Sequence, residues 1–270
     1  MKKAVSRVYL ALIYLFLYAP ILLLVVFSFN DTDTKSRTVW SGFSLRWYEM
    51  LFQDRMLLQA LTNTLIIAVS AAIGATLLGT LAAIGISSMK SWRKKVVMNI
   101  TNLPMLNPEI VTGVSLMLLL VFLANLLGVQ LGIGSVILAH ITFCLPYVIL
   151  SVLPKLRQMD PNLYEAAQDL GCTPLRSFFK VVLPEILPGV ITGMVMSFTL
   201  SLDDFIISYF CSGTTQTLPV FIYSMTKKRV SPEINALSTI LFAVILVLLL
   251  LINVRTGKVG GRKGKEAQEF

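Results

Sequence analysis

Charged side chains are scarce in this sequence. Of 270 residues, 14% are Asp, Glu, Lys or Arg, against about 25% in a soluble domain. Histidine occurs once, at 140, so no His-based catalytic triad can be assembled. A lone imidazole inside an apolar run reads as a packed, hydrogen-bonded side chain. The three cysteines, Cys144, Cys172 and Cys211, are scattered and odd in number. They offer neither a disulfide framework nor a zinc spacing. The phosphate-binding pattern G-x-x-x-x-G-K-[ST] is missing. Gly257-Lys258 runs on to Val259 and Gly264-Lys265 to Glu266, so the chain has no P-loop with which to hydrolyse ATP. Ser-x-x-Lys and paired-carboxylate readings find no supporting context. Catalytic signatures are absent, and no cofactor or metal site is expected in this chain.

What the sequence does have is apolar length. It is 56% hydrophobic, with mean hydropathy +0.78. A helix that crosses a bilayer needs about 20 apolar residues, and six segments qualify: 8–29 with Pro20 inside, 61–87, 110–127, 133–153 with Pro146 inside, 186–210 and 236–254. The fold class is therefore all-α, a polytopic membrane protein with one helical bundle over 1–270. The N-terminal run is longer than a signal-peptide core and lacks a small-x-small cleavage site, so it reads as an uncleaved first span. Ser70, Gly74, Gly79 and Gly85 in the second span would let neighbouring helices approach closely. The Gly- and Lys-rich stretch 256–270 reads as a disordered tail.

The net charge of +9 is not a nucleic-acid signal, because the basic residues cluster at the ends of hydrophobic runs. Lys2, Lys3, Arg7, Lys90, Arg93 to Lys95, Lys155, Arg157, Arg176, Lys180 and the tail fall on one side. Lys35, Arg37, Arg46, Arg55 and Lys227 to Arg229 fall on the other. The excess marks the cytoplasmic side and places both termini there. The segment 30–60, with Trp40, Trp47, Tyr48, Asp31, Asp33, Glu49 and Asp54, is then external. It reads either as an interfacial loop with aromatic anchors or as a docking surface.

One stretch, 160–189, is amphipathic and heavily punctuated. Asp160 can cap a helix whose first position suits Pro161. Leu163, Ala166, Ala167 and Leu170 share one helical face, and Gly171 can stop the helix in a left-handed turn. Thr173 and Pro174 open a second short helix with an apolar stripe of Leu175, Phe178, Phe179 and Val182, closed by Pro184. The expectation is two short helices outside the bilayer, on the cytoplasmic side, suited to a groove on a partner or, more plainly, a surface loop packed on its own spans.

Acids within or beside the spans are the remaining signal. Asp203 and Asp204 lie toward the outer half of the fifth span, and Glu109 opens the third. Ionisable groups in a bilayer cost on the order of 2.5–3.5 kcal/mol each and mark pathways by default. Glu109 can equally be a helix-start residue at the cytoplasmic edge. Carboxylates with nearby aromatics, here Phe205, Tyr209 and Tyr223, suit a cation.

The run Glu165-Ala166-Ala167, Gly171 after three residues, then Phe179, Val182, Leu183-Pro184 and Pro188 resembles the EAA loop of ABC importer permeases. His140-Ile-Thr-Phe-Cys-Leu-Pro146-Tyr, Ser197-Phe-Thr-Leu-Ser-Leu-Asp203-Asp204, Leu218-Pro219 and Ser231-Pro-Glu-Ile-Asn-Ala-Leu extend the likeness over nearly the whole chain. They resemble the spermidine/putrescine permeases of the PotC type, within the binding-protein-dependent transport permeases. That resemblance implies a type I ABC importer fold in the bacterial cytoplasmic membrane, with no enzymatic activity in this chain. It implies as partners a second homologous permease in a heterodimer, two copies of a cytoplasmic ATPase that carry ATP and Mg, and an extracytoplasmic polyamine-binding protein. It assigns Tyr164, Glu165, Ala166, Ala167, Asp169, Leu170 and Gly171 to ATPase coupling, and Asp203 and Asp204 to the ammonium groups of the cargo, with Glu109 as a later station. Rival readings are the same architecture importing thiamine, an iron complex or a phosphonate, a proton-coupled secondary transporter with Asp203 and Asp204 as relay, and a scaffold with no transport role.

Overall fold

The structure is a computed structural model and describes residues 2–31, 40–160, 162–228, 233–244 and 246–247. The helices in chain order are α1 (Lys2–Ser28), α2 (Arg46–Gln53), α3 (Arg55–Ser87), α4 (Ser91–Leu106), α5 (Glu109–Leu127), α6 (Ile133–Gln158), α7 (Asn162–Asp169), α8 (Pro174–Ser177), α9 (Leu183–Asp203), α10 (Ile206–Cys211) and α11 (Leu218–Lys228). A shorter apolar helix, α12, covers Glu233–Val244. Five helical stretches are long and apolar enough to cross a membrane: Ser6–Ser28, Arg55–Ser87, Glu109–Leu127, Ile133–Gln158 and Pro174–Asp203. The segment expected as the sixth span begins within α12; its remainder, the tail, Pro161 and most of the outer loop's basic residues lie outside the described residues.

The chain falls into two compact units, Leu58–Phe221 and the pair Met1–Leu57 with Ile222–Phe270. In the second of these, α1 exposes its apolar side chains along its length, as a helix bathed in hydrocarbon does. Its C-terminal end is tied by polar contacts. Trp47 donates its indole N–H to the Asn30 carbonyl at 2.9 Å, and the Ser28 and Tyr48 hydroxyls meet at 2.7 Å. Phe29 stacks on Phe43 with centroids 5.5 Å apart. The Asp54 carboxylate accepts from Met56 N–H at 2.8 Å and so caps α3.

The Leu58–Phe221 unit is built around α6. Its core comprises Ala75, Ala83, Phe143, Cys144, Val148, Val152, Ile186 and Ile207, among others. Close approach is achieved with glycine: a Cβ at Gly79 would stand 2.7 Å from Val148 Cβ, and one at Gly189 would stand 2.7 Å from the Ser151 carbonyl oxygen. Helices α3 and α9 thus press nearly backbone-to-backbone on α6, the mode expected where lipid supplies no hydrophobic drive between helices. Pro146 and Pro154 are both carried inside α6.

Three features depart from the expectations. First, the 186–210 segment is not one continuous span. Helix α9 ends at Asp203, Asp204 is extended (φ −63, ψ 122), and α10 starts at Ile206. The reason is chemical: the Asp204 side chain supplies acceptors for two free N–H groups of α10, so a new helix start competes with continuation. Second, Pro184 does not close a second short helix. A π-turn at Phe178–Val182, in which Leu183 N–H reaches back to the Phe178 carbonyl, joins α8 to α9. A widened turn omits an i−4 hydrogen bond, and Pro184 has no N–H to make one. Third, α4 occupies residues read from sequence only as a basic connector. It ends at Asn107, which is extended (ψ 145), as a residue before proline prefers.

Candidate functional site

Two places carry the residues singled out by sequence: the coupling stretch and the helix breaks. In the coupling stretch, Asp160 Oδ1 accepts from Asn162 N–H at 2.9 Å and opens α7. Gly171 ends it with φ +84. Gly171 N–H bonds the Gln168 carbonyl at 2.8 Å and Cys172 N–H the Ala167 carbonyl at 3.1 Å, the paired pattern of a left-handed helix stop. Thr173 Oγ1 then caps α8 through Arg176 N–H at 3.4 Å.

Burial divides this stretch into two sides. Ala167 is buried and Tyr164 half-buried against the core, with Phe178 and Val182 beside them. Glu165, Ala166, Asp169, Leu170 and Gly171 are exposed. Leu170 is 87% exposed, Leu175 71% and Phe179 60%. The apolar stripes read from the sequence are therefore shared, one part anchoring the element to its own unit and the other facing outward. Large apolar side chains held outward on a capped, ordered element are the mark of a docking surface.

The second place is the break between α9 and α10. Asp203 is exposed at the end of α9, whereas Asp204, its neighbour, is turned inward and buried. Both Asp204 carboxylate oxygens are engaged: Oδ1 with Ile207 N–H at 3.3 Å and Oδ2 with Ser208 N–H at 2.8 Å. Behind it stands His140, 1% exposed. Its Nε2 lies 3.3 Å from Asp204 Oδ2 and 3.1 Å from Ser208 Oγ, and its Nδ1 lies 2.6 Å from Ser201 Oγ. The histidine is thus a packed, hydrogen-bonded side chain, held by residues on both sides of the break. Phe205 and Tyr209 stand on the outward side, with ring centroids 5.5 Å apart.

The break between α4 and α5 holds Glu109, exposed in the first turn of α5. Pro108 occupies the cap position, and no side chain caps this end by a hydrogen bond. Gly113, one turn on, packs against Ile206 and Phe210, which a Cβ would meet at 3.3 and 3.2 Å. The start of α5 is therefore brought against α10, and Glu109 belongs to the same neighbourhood as Asp203, Phe205 and Tyr209. A cavity of about 390 Å³ opens at the α4–α5 break, lined by Leu103, Asn107, Thr112, Ser115, Thr142 and Phe143 among others, with Glu109 outside its lining. Tyr223 belongs to α11 in the other unit, where Lys227 Nζ lies 4.8 Å from its ring centroid.

Sequence reasoning took Asp203 and Asp204 as an equivalent pair and did not link Ser201, Ser208 and His140. A signal was present: Ser197, Ser201, Asp204 and Ser208 recur at i, i+4, i+7 and i+11, a polar stripe on one helical face that calls for a polar partner inside an apolar bundle.

Comparison with known proteins agrees with this architecture. The family described as "Binding-protein-dependent transport system inner membrane component" matches residues 75–256. The chain is 42% identical over 242 residues to the Putrescine transport system permease protein PotI of Escherichia coli (strain K12), covering 88% of this chain and 85% of that protein. It is 41% identical over 243 residues to the Spermidine/putrescine transport system permease protein PotC of the same strain, covering 90% of each. Among solved structures, a bacterial ABC transporter involved in import of the acidic polysaccharide alginate superposes with TM-score 0.71 at 20% identity, covering 93% of this chain and 94% of that one. The MetNI methionine ABC transporter in an inward-facing form superposes with TM-score 0.55 at 16% identity, covering 75% and 96%.

Proposed function

The chain belongs to the binding-protein-dependent transport system inner membrane components, and from that membership we propose that it is the permease through which an ATP-driven importer passes polyamines of the spermidine/putrescine class. The observation that carries the reading is Asp203: an exposed carboxylate at a helix break inside the apolar part of the chain, beside the Phe205–Tyr209 ring pair. A carboxylate with aromatic faces suits a primary or secondary ammonium through charge pairing and cation–π contact. The names of the relatives at 41–42% identity support the same cargo class. Asp204, engaged from behind, adds negative potential to the site without meeting the cargo, and Glu109 offers a second station. Tyr223 is the most distant candidate in sequence.

The permease is oriented with both termini in the cytoplasm, which puts α7 and α8 where an ATPase can reach them. It pairs with a second, homologous permease to enclose the path and takes cargo from an extracytoplasmic binding protein. Two ATPase chains supply nucleotide chemistry; this chain's part is mechanical and selective. Glu165, Asp169, Leu170, Leu175 and Phe179 seat on the ATPase, while Tyr164 and Ala167 hold α7 to the core. Closure of the ATPases rocks the spans and opens the site alternately to each face.

The test is uptake of labelled spermidine and putrescine by cells that lack their own importers and carry the complete system, with this chain native or as Asp203→Asn. Uptake should be ATP-dependent, and the variant should raise KM by roughly tenfold or more, about the weight of one charge-assisted contact. Unchanged uptake in Asp203→Asn at equal membrane level would remove Asp203 from the path, and absence of uptake by the native system would remove the cargo class.

A further inference from the structure

We propose that His140 is a positioning residue that holds the α9–α10 break in shape, and through it the outward presentation of Asp203, Phe205 and Tyr209. The inference rests on reading those three as the cargo-facing group; His140 itself does not face the cargo. An imidazole carries two polar atoms pointing in nearly opposite directions, and here each is used on a different side of the break. Nδ1 meets Ser201 in the last turn of α9 at 2.6 Å. Nε2 meets Ser208 in the first turn of α10 at 3.1 Å and the cap carboxylate of Asp204 at 3.3 Å. One rigid ring on α6 therefore spans the end of one helix, the start of the next and the residue between them. A ring protonated at Nε2 satisfies the Asp204 side of this arrangement, since a carboxylate only accepts.

The geometry explains why the break is held by a side chain from another helix. Asp204 can cap α10 alone, through Ile207 and Ser208 N–H, but a cap fixes only the helix that it opens. The angle between α9 and α10 needs a contact made to both, and His140 makes it. Its surroundings leave little alternative: Val136, Ala139, Phe143 and Cys144 are buried around it on α6, so loss of the ring leaves Ser201, Ser208 and one carboxylate oxygen facing an apolar wall. Buried polar groups stripped of partners rearrange to find others, and the groups free to move are those of the break.

The two arms of the ring can be separated by substitution. Glutamine at 140 places an amide NH₂ near the position of Nε2 and keeps the arm to Asp204 and Ser208. Leucine fills the space and keeps neither arm. The experiment uses the full chain in its assembled importer, with Cys172→Ser and a reporter Asp203→Cys, and measures the rate of modification by a small methanethiosulfonate reagent in native His140, His140→Ala, His140→Leu and His140→Gln backgrounds. A second reporter, Leu170→Cys on the coupling element, is measured in parallel. Polyamine uptake is measured with Asp203 restored. Alanine and leucine should shift the rate at 203 by about fivefold or more, as expected for loss of a coupled buried contact, with the rate at 170 unchanged. Glutamine should bring the rate at 203 back to within about twofold of native. Uptake in the alanine and leucine variants should show a raised KM with maximal rate and membrane level retained. Equal rates at 203 in all backgrounds, or glutamine no better than leucine, would overturn the proposal. So would rates at 203 and 170 moving together, or loss of every variant including glutamine from the membrane, since either makes the cluster a general support of the bundle. A native system that takes up no polyamine sinks the cargo assignment, and the labelling rates still decide on His140.

Discussion

Gly171 allows a test in which backbone strain can be separated from contact. Its φ of +84 lies in the left-handed region, and a Cβ built there meets nothing within 4 Å. A substitution therefore adds no clash inside this chain, and its cost is conformational. Placing an ordinary L-residue in this region costs about 1–2 kcal/mol, with asparagine well below that and a β-branched residue above it. The two hydrogen bonds that close the helix, Gly171 N–H to Gln168 and Cys172 N–H to Ala167, are what the strain opposes. A penalty of about 1–2 kcal/mol shifts the balance between the closed and opened helix end by roughly 5- to 30-fold. Uptake and cargo-stimulated ATP hydrolysis by the assembled importer should then fall in the order native, Asn, Ala, Val at constant membrane level, with asparagine within about twofold of native. An asparagine variant as inactive as valine would refute the reasoning, because it would show that the surface at 171, and not its backbone, is what the partner reads.

Other predictions concern packing and the outer segment. Gly189→Ala brings a methyl to 2.7 Å from the Ser151 carbonyl, where 3.4 Å is the start of ordinary contact, so α6 and α9 must part. The cost should be about 1–3 kcal/mol, read as a lowered midpoint of thermal unfolding in detergent. Gly85→Ala, with nothing within 4 Å of the new methyl, should raise that midpoint through a gain of about 0.5–1 kcal/mol; equal behaviour of the two would refute backbone contact as the cause. Trp47→Phe keeps the ring but leaves the Asn30 carbonyl without its 2.9 Å donor. It should cost about 1–3 kcal/mol locally and speed proteolysis between α1 and α3 in the purified protein, and an unchanged cleavage rate would show that the bond does not hold this segment.

The helices were legible because a bilayer demands length and apolarity, and Arg55–Ser87, Glu109–Leu127 and Ile133–Gln158 advertise both. The start and stop of α7 were legible for a local reason: Asp160 and Gly171 act within a few residues of themselves. The break at Asp204 was not, since Ser-Leu-Asp-Asp-Phe-Ile reads as easily as a helix interior until His140, 61 residues before Ser201, supplies its partner. The join of α8 to α9 was missed for the opposite reason. Pro184 is a breaker by local rule, and only the π-turn before it makes the helix continuous. Asp203 and Asp204 looked alike because sequence gives their chemistry but not their direction, and one residue is about 100° of helix turn.

That join has a mechanical consequence. From Pro174 to Asp203 the chain runs as a single 30-residue helical rod, about 45 Å long at 1.5 Å per residue. One end carries the exposed Leu175 and Phe179, and the other carries Asp203. Its middle is clamped on α6 at Gly189 and Gly193, where a Cβ would find backbone and side-chain atoms within 3.4 Å. A rod held at its middle is a lever with a fulcrum: a tilt of about 5° moves each end by about 2 Å, in opposite senses, along a half-length of roughly 22 Å. A push at the Leu175 end thus arrives at Asp203 with its direction reversed.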